Sequence, residues 1–340
     1  VEYRDRQKVA VLGAGGWGIA IAGLLLGRGY APVLWEFDPV AAANLQQTRE
    51  LPQKLPGIRI PDQIEITSDL RGTVRGAQAV CVVVPSHTVR GVAEKLSTLG
   101  REIPLVVNFS KGLEVPSLKR LSEVLEHELR GVYTRRVVTV SGPSHAEEVA
   151  RRVPTTVVAA SPSIDDAVIV QDMLSTEYFR VYTNRDIIGV ELGGALKNVI
   201  AIAVGVIDGL DLGDNTKGAL MTRGIAEMTR LGERLGAEGA TFAGLSGIGD
   251  LIATCTSRHS RNRFVGEQIG RGHPLSEVLA EMEMVAEGVK TTEAAVQLAK
   301  RHVVEMPIAV EVYRVLFEGK SAEVALADLM KRELKPEIWG

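Results

Sequence analysis

The run Gly13-Ala14-Gly15-Gly16-Trp17-Gly18 constrains the fold of this chain more than any other. It directly follows an apolar, β-branched segment, Lys8–Leu12, and it directly precedes Ile19–Leu26, an apolar stretch of helical character. The spacing is G-x-G-x-x-G. Gly13 permits a tight turn, Gly15 lets the backbone approach a pyrophosphate, and Gly18 lets helix and strand pack closely. The new helix then turns its free N–H groups and the positive end of its dipole toward that phosphate. Glycine-rich turns alone are common, but here a second strand candidate, Ala31–Trp35, follows on schedule. The unit predicts dinucleotide binding.

Further strands follow in the first half. Ala79–Val84 (AVCVVV) is continuously apolar, as a strand buried on both faces should be. Leu105–Asn108 and Arg136–Val140 come next, and Thr155–Ala160 reads as an added strand after Ser141-Gly142-Pro143. The alternation of strands and helices predicts an α/β fold with an N-terminal Rossmann doubly wound sheet. From about Ile187 the pattern is helical almost throughout: Ile187–Val206, Lys217–Leu235, Arg263–Arg271, Leu275–Glu281, Thr291–Arg301 and Ala309–Phe317. An all-helical C-terminal domain is expected. The boundary falls near residue 185, giving 1–185 for the dinucleotide-binding domain and 186–340 for the substrate and catalytic domain. The segment Asn44–Pro61 shows no readable pattern.

Composition narrows the function. With 340 residues, 45% hydrophobic and 24% charged, the chain is globular and long enough to bury cores without staples. A net charge of -3, with no long run of one sign, gives no electrostatic footprint for nucleic acid. Bound phosphates must therefore be met by local groups. Cys81 and Cys255 make no disulfide framework and fit a reducing cytoplasm. No window reaches the roughly 18–20 uninterrupted apolar residues of a membrane span. The charged segment Val1–Lys8 does not read as a signal peptide. His87 and His145 have no partners at metal-ligand spacing, so no metal is expected. Pro85-Ser86-His87 is placed to cover a cofactor, and Met282–Met284 to pack in a core or seam.

The polar candidates carry alternatives. Glu36, at the tip of the second strand (Leu34-Trp35-Glu36-Phe37-Asp38), either accepts hydrogen bonds from a ribose or is a solvated strand end. No arginine there welcomes a 2′-phosphate, which favours NAD over NADP. Lys197 and Asn198 sit mid-way along a helix that is apolar nearly all round. A buried lysine loses basicity and becomes a competent base near neutral pH; otherwise it snorkels to a domain seam. Gly193 and Gly194 clear space one turn earlier, as a flat nicotinamide would require. Lys111, in Phe109-Ser110-Lys111-Gly112 after a strand, could meet a phosphate or hold Lys197 neutral; alone it is a solvated loop lysine. Asp250 either accepts from a lysine or substrate hydroxyl, or caps a short helix. Ser260-Arg261-Asn262-Arg263 is a phosphate cradle or a plain N-cap with exposed arginines.

Taken together, these segments resemble glycerol-3-phosphate dehydrogenase. The matching pieces are GAGGWG (Gly13–Gly18), VVVPSH (Val82–His87), SKGLE (Ser110–Glu114), SGPSHAEE (Ser141–Glu148) and ELGGALKNVIAIAVG (Glu191–Gly205). Then follow TRGIAEM (Thr222–Met228), GLSGIGDLIATCTS (Gly244–Ser257), SRNR (Ser260–Arg263) and EG (Glu287–Gly288), in family order over almost the whole chain. The resemblance implies that Lys197 is the proton acceptor, with Lys111 and Asp250 beside it. It implies substrate contacts at Lys111, Gly142, Ser144, Asp250, Arg261 and Asn262. It implies cofactor contacts at Trp17, Lys111, Ala146, Ser260, Arg261, Val285 and Glu287, besides the loop Gly13, Gly15, Gly16 and Gly18. Bacterial members often favour NADP and carry an arginine near the position of Phe37; the sequence Trp35-Glu36-Phe37-Asp38 departs toward the NAD-using branch. The partners expected are glycerol 3-phosphate and dihydroxyacetone phosphate, in glycerophospholipid precursor synthesis, and a second copy of the chain in a homodimer. The rivals are a β-hydroxyacid-type or ketopantoate-like reductase, against which SRNR argues, and a non-catalytic NAD(H) sensor, against which the retained Lys197, Lys111 and Asp250 argue.

Overall fold

The strand β1 (Lys8–Leu12) shows how the sheet is built: Val9 and Val11 enter one apolar core while Ala10 and Leu12 enter another, and all four are fully buried. Period-two alternation of apolar residues on both faces is what a sheet covered by helices on both sides demands. A computed structural model describes residues 7–100, 103–115, 117–133, 135–282, 285–334 and 336–337. Most of the N-terminal charged segment, and Met284, therefore lie outside the described residues.

The first half runs β1, α1 (Gly16–Gly27), β2 (Ala31–Trp35), α2 (Pro39–Thr48), β3 (Glu65–Thr67), α3 (Leu70–Val74), β4 (Ala79–Val82), α4 (Val89–Ser97), β5 (Val106–Asn108), α5 (Leu121–Glu128), β6 (Val138–Ser141), α6 (Ala146–Ala150), β7 (Thr155–Ala160), α7 (Ile164–Leu174) and β8 (Phe179–Asn184). The strands form one sheet in the order β3-β2-β1-β4-β5-β6-β7-β8. All neighbours are parallel except β6 and β7. The order reverses beside β1, so the crevice at the carboxyl ends of β1 and β4 is the place where such sheets bind ligands.

Two strands have no counterpart in the sequence reading. β3 is short and largely polar, and β8 alternates Phe179 and Val181 inward with Arg180 and Tyr182 outward. Both lie at sheet edges, where one side is open and the continuous apolar signal of a central strand is absent. Asn44–Pro61 resolves into the end of α2 and a pinned loop. Arg49 ends the helix at φ 58° and its Nη1 donates to the Ile64 carbonyl at 2.6 Å, while Leu55 and Ile60 are buried.

Past β8 the chain is helical: α8 (Ile187–Gly209), α9 (Gly213–Arg234), α10 (Gly239–Phe242), α11 (Asp250–Thr256), α12 (Arg261–Gly270), α13 (Leu275–Ala280), α14 (Glu287–His302), α15 (Pro307–Phe317) and α16 (Ala322–Met330). By length and composition α8 could cross a membrane, but 94% of its most apolar window is buried inside the molecule. It is the axis of the helical half. A Cβ at Gly205 would stand 2.0 Å from the Arg263 carbonyl and one at Gly266 1.9 Å from the Ile202 carbonyl. The backbones of α8 and α12 thus touch where glycine removes the side chain. Cys81 and Cys255 are free and buried in separate cores.

Candidate functional site

The glycine loop has the geometry its spacing predicts. Gly13 adopts φ +116°, and a Cβ there would lie 2.8 Å from the Val83 carbonyl. A Cβ at Gly18 would lie 1.8 Å from the Gly13 carbonyl, which is the close helix–strand contact. Nothing lies within 4 Å of the same position on Gly15, and α1 begins there with no side-chain cap. The first N–H groups of α1 thus have no side-chain cap, the donors a pyrophosphate would use. Gly16 faces the Lys54 carbonyl and Ala146. Trp17 meets Phe109 edge-on, with ring centroids 6.2 Å apart. At the β2 tip, Glu36 is half-buried and its Oε1 accepts from the Asp38 N–H at 3.3 Å, while Phe37 is 73% exposed. Asp38 is engaged as the cap of α2, accepting from Val40 N–H at 2.8 Å.

On the helical side, α8 carries Lys197 into a polar cluster. Asp250, the first residue of α11, bridges two ammonium groups: Lys197 Nζ at 2.7 Å on one oxygen and Lys111 Nζ at 2.7 Å on the other. Lys111 also donates to the Gly142 carbonyl at 2.8 Å, and Lys197 to Thr254 Oγ1 at 2.5 Å. Burial pushes Lys197 down to about 8; Asp250 opposes that shift and Lys111 adds to it. Burial alone would raise the Asp250 carboxyl, but Lys111 and Lys197 outweigh it and hold it below the usual carboxylate range. Of the alternatives open in sequence, Lys197 is thus enclosed rather than snorkelling, and Asp250 pairs with lysines rather than capping α11.

How Asp250 is aimed lies in the backbone. Leu245–Gly249 forms a π-type turn in which Gly247 departs from helical angles (φ −95°, ψ −105°). Such turns add a residue to the helical register and redirect the helix that they lead into. A Cβ at Gly193 would lie 2.5 Å from the Ser246 carbonyl in this turn, and one at Gly194 2.5 Å from Ser141 Oγ. The two glycines therefore make room for protein rather than for a flat ring, which corrects the expectation drawn from them.

The remaining candidates lie at the starts of α12 and α14 and in the loop after β6. Ser260 caps α12, its Oγ accepting from Arg263 N–H at 3.2 Å. Arg261 is exposed and donates to the Val285 carbonyl at 2.8 Å. Buried Asn262 donates to Asn198 Oδ1 at 2.9 Å and accepts from Gly288 N–H at 2.8 Å. Arg263 is drawn away into an ion pair with Asp208 at 2.6 Å. Ser144 Oγ donates to the Gly142 carbonyl at 2.9 Å. Glu287, the first residue of α14, accepts from both the backbone N–H (3.0 Å) and the hydroxyl of Ser86, which follows β4. Thr254, which the sequence places beside Asp250 without a role, bonds Lys197 from one turn after Asp250 on α11.

Two family models cover the chain: the NAD-dependent glycerol-3-phosphate dehydrogenase N-terminus over residues 8–167 and the C-terminus of the same family over residues 186–327. The chain belongs to the NAD-dependent glycerol-3-phosphate dehydrogenase family. Among glycerol-3-phosphate dehydrogenases, the NAD(P)+ enzyme of Chlorobium luteolum is 50% identical over 329 residues, 97% of this chain and 99% of the relative. That of Pelotomaculum thermopropionicum is 52% identical over 325 residues, 96% of this chain and 93% of the relative. The crystal structure of the Coxiella burnetii glycerol-3-phosphate dehydrogenase superposes with a TM-score of 0.91 at 36% identity, covering 96% of this chain and 99% of that one. A ketopantoate reductase from Ralstonia eutropha shares the fold at 14% identity and a TM-score of 0.60.

Proposed function

We propose that this chain catalyses reversible hydride transfer between NAD(P)(H) and sn-glycerol 3-phosphate or dihydroxyacetone phosphate. The observation that carries the reading is the enclosed Lys197, brought near neutral pH by burial and held by Asp250 against a second lysine. A dinucleotide fits the first half: Gly15 leaves its space open, the α1 N–H groups are uncapped, and Trp17 and Ala146 border the loop, with Glu36 at the tip of the neighbouring β2. A nicotinamide bound there would supply the hydride acceptor for C2 of the alcohol and the hydride donor for the ketone.

The chain's own residues do the rest. Neutral Lys197 accepts the C2 hydroxyl proton at Nζ; in reduction its ammonium donates that proton to the carbonyl oxygen. Asp250 orients Lys197 and keeps it from leaving the pocket. Lys111 sets the charge balance and, with Gly142 and Ser144, lines the substrate side. Arg261, Asn262 and Ser260 at the head of α12 meet the phosphate, where guanidinium and helix N–H groups favour a dianion. Arg261, Val285 and Glu287 border the cofactor side. Residues 1–185 and 186–340 form the two domains of this reading, with the reaction at their seam. The exposed Phe37 and the acidic Glu36 support a preference for NAD over NADP. A cytoplasmic homodimer completes the proposal.

The test is dihydroxyacetone phosphate added to protein with NADH and with NADPH in parallel, following the near-ultraviolet absorbance of the reduced ring. Rapid loss is expected, faster with NADH. Loss in neither, with NADH binding intact, refutes the reading in favour of a sensor. Lys197→Ala is expected to lower turnover by at least about 10²-fold while retaining NADH affinity.

A further inference from the structure

The reacting cluster is assembled from both halves of the molecule. Lys111 and the Gly142 carbonyl come from the carboxyl ends of the sheet, while Lys197, Asp250 and Thr254 come from α8 and α11. Its geometry therefore depends on how α8 is seated against the sheet. Glu191 is buried on α8, and every hydrogen bond its carboxylate makes goes to the other half. Oε1 accepts from Ser122 N–H at 2.8 Å and from Thr139 Oγ1 at 3.3 Å. Oε2 accepts from Ser122 Oγ at 2.6 Å and from Arg120 Nη1 at 2.6 Å.

Ser122 lies in the first turn of α5, so the carboxylate also meets the positive end of that helix. Glu191, Gly194, Lys197 and Asn198 recur at three- and four-residue steps, which puts them on one face of α8. Lys197 stands about 9 Å along the axis from Glu191, a distance over which a packed helix moves as a rigid rod. Between them, Gly194 admits Ser141 Oγ, and Lys111 Cδ lies 3.7 Å from the position a Cβ would take. A shift of α8 at Glu191 thus reaches Lys111 and Lys197 together.

We propose that Glu191 is a positioning residue: it fixes the register of α8 against the sheet so that Lys111 and Lys197 meet opposite oxygens of Asp250. The role rests on the functional reading above but not on the substrate's identity. The same bonding pattern recurs in weaker form at Glu287, which takes the N–H and hydroxyl of Ser86 from a half-exposed position. Glu191 is the enclosed pin of the two, with an arginine and a threonine added.

Glu191→Gln keeps the shape but removes the charge and turns one acceptor into a donor facing donors. Turnover is expected to fall at least about tenfold, as for small misplacements of reacting groups. The pH limb of the oxidation reaction should move up, because Lys111 no longer presses on Lys197. A purely structural role would lower Tm while leaving turnover and limb of the folded enzyme as in wild type; that result overturns the proposal. If Glu191→Gln does not fold, Ser122→Ala removes only one hydroxyl donor. It should move the limb the same way with a smaller loss of rate, and an unmoved limb there overturns the proposal equally. Wild-type protein run alongside separates the two claims. If it fails to reduce dihydroxyacetone phosphate, the functional reading is at fault. Glu191 is then judged by hydrogen exchange at the Ser122 amide, which should quicken at least about tenfold in Glu191→Gln; unchanged protection would overturn the pin.

Discussion

Lys111→Met tests the electrostatic core of the site most sharply. The two lysine nitrogens sit on opposite oxygens of one carboxylate, each at 2.7 Å. Taking the positive charges to be about 6 Å apart, an effective dielectric near 20 gives a repulsion of about 2–3 kcal/mol. Methionine keeps most of the length of the side chain and deletes the charge. Lys197, pushed down to about 8 in the intact protein, should recover about one to two pKa units, since each unit is about 1.4 kcal/mol. In the proposed mechanism oxidation of glycerol 3-phosphate needs the neutral amine, so kcat/KM is expected to rise with pH through this group. The measurement is kcat/KM against pH in the oxidative direction for wild type and variant, which reports the free enzyme's titrations. The substrate's own phosphate titrates near pH ~6, well below this limb. The variant's limb should lie higher than the wild type's, and at pH 7 its rate should be lower for that reason alone. A limb that stays in place or moves down, however large the loss in rate, would refute the coupling between Lys111 and Lys197.

Other perturbations probe separate parts of the molecule. Arg261→Ala should raise KM for the phosphorylated substrate about tenfold with a lesser change in kcat, read from initial rates; an unchanged KM moves the phosphate site elsewhere. Phe37→Arg should raise the NADPH to NADH ratio of kcat/KM by roughly tenfold or more, because a guanidinium at the exposed β2 tip can pair with a 2′-phosphate; an unmoved ratio would place the ribose beyond its reach. Glu227, buried on α9, accepts from Ile308 N–H at 2.7 Å and Ala309 N–H at 3.2 Å, and burial pushes it up to about 7 from an ordinary 4.5. The native state then binds more protons than the unfolded one between those two pH values. The penalty is absent below pH 4.5 and complete above about 7, so stability falls across the window by up to about 3 kcal/mol. Glu227→Gln should flatten that slope in thermal melts; parallel slopes would show that Glu227 does not titrate there.

The strongest sequence signals come from residues whose chemistry is local. Lys8–Leu12 and the glycine loop specify their strand and turn through neighbouring residues, and they fold as read. Lys197 stands out because a lysine contradicts an apolar helix. The edges of the sheet are less legible: Glu65–Thr67 is too short and polar to separate from a loop, and Phe179–Asn184 shows only a half-buried alternation. Least legible are the partnerships. Nothing in the spacing of Lys111, Lys197 and Asp250 says that one carboxylate serves both lysines, since the chain brings them together only through the crossing of α8, α11 and the sheet ends. Gly193 and Gly194 mislead for the same reason: a missing side chain reveals a close approach but not what approaches. Glu191 falls inside a matching motif yet shows no role in sequence, because its donors, Arg120, Ser122 and Thr139, lie far off along the chain.

The burial of α8 has a kinetic consequence. A 23-residue helix this apolar is hidden only while α9, α11, α12 and α14 surround it. All four of those partners are made after it along the chain, so a nascent polypeptide carries a sticky rod until its later helices arrive. Heat would release the same rod. Unfolded molecules should then coalesce faster than they refold, and the lifetime of the protein at high temperature becomes a rate set by the first escape of α8 rather than an equilibrium.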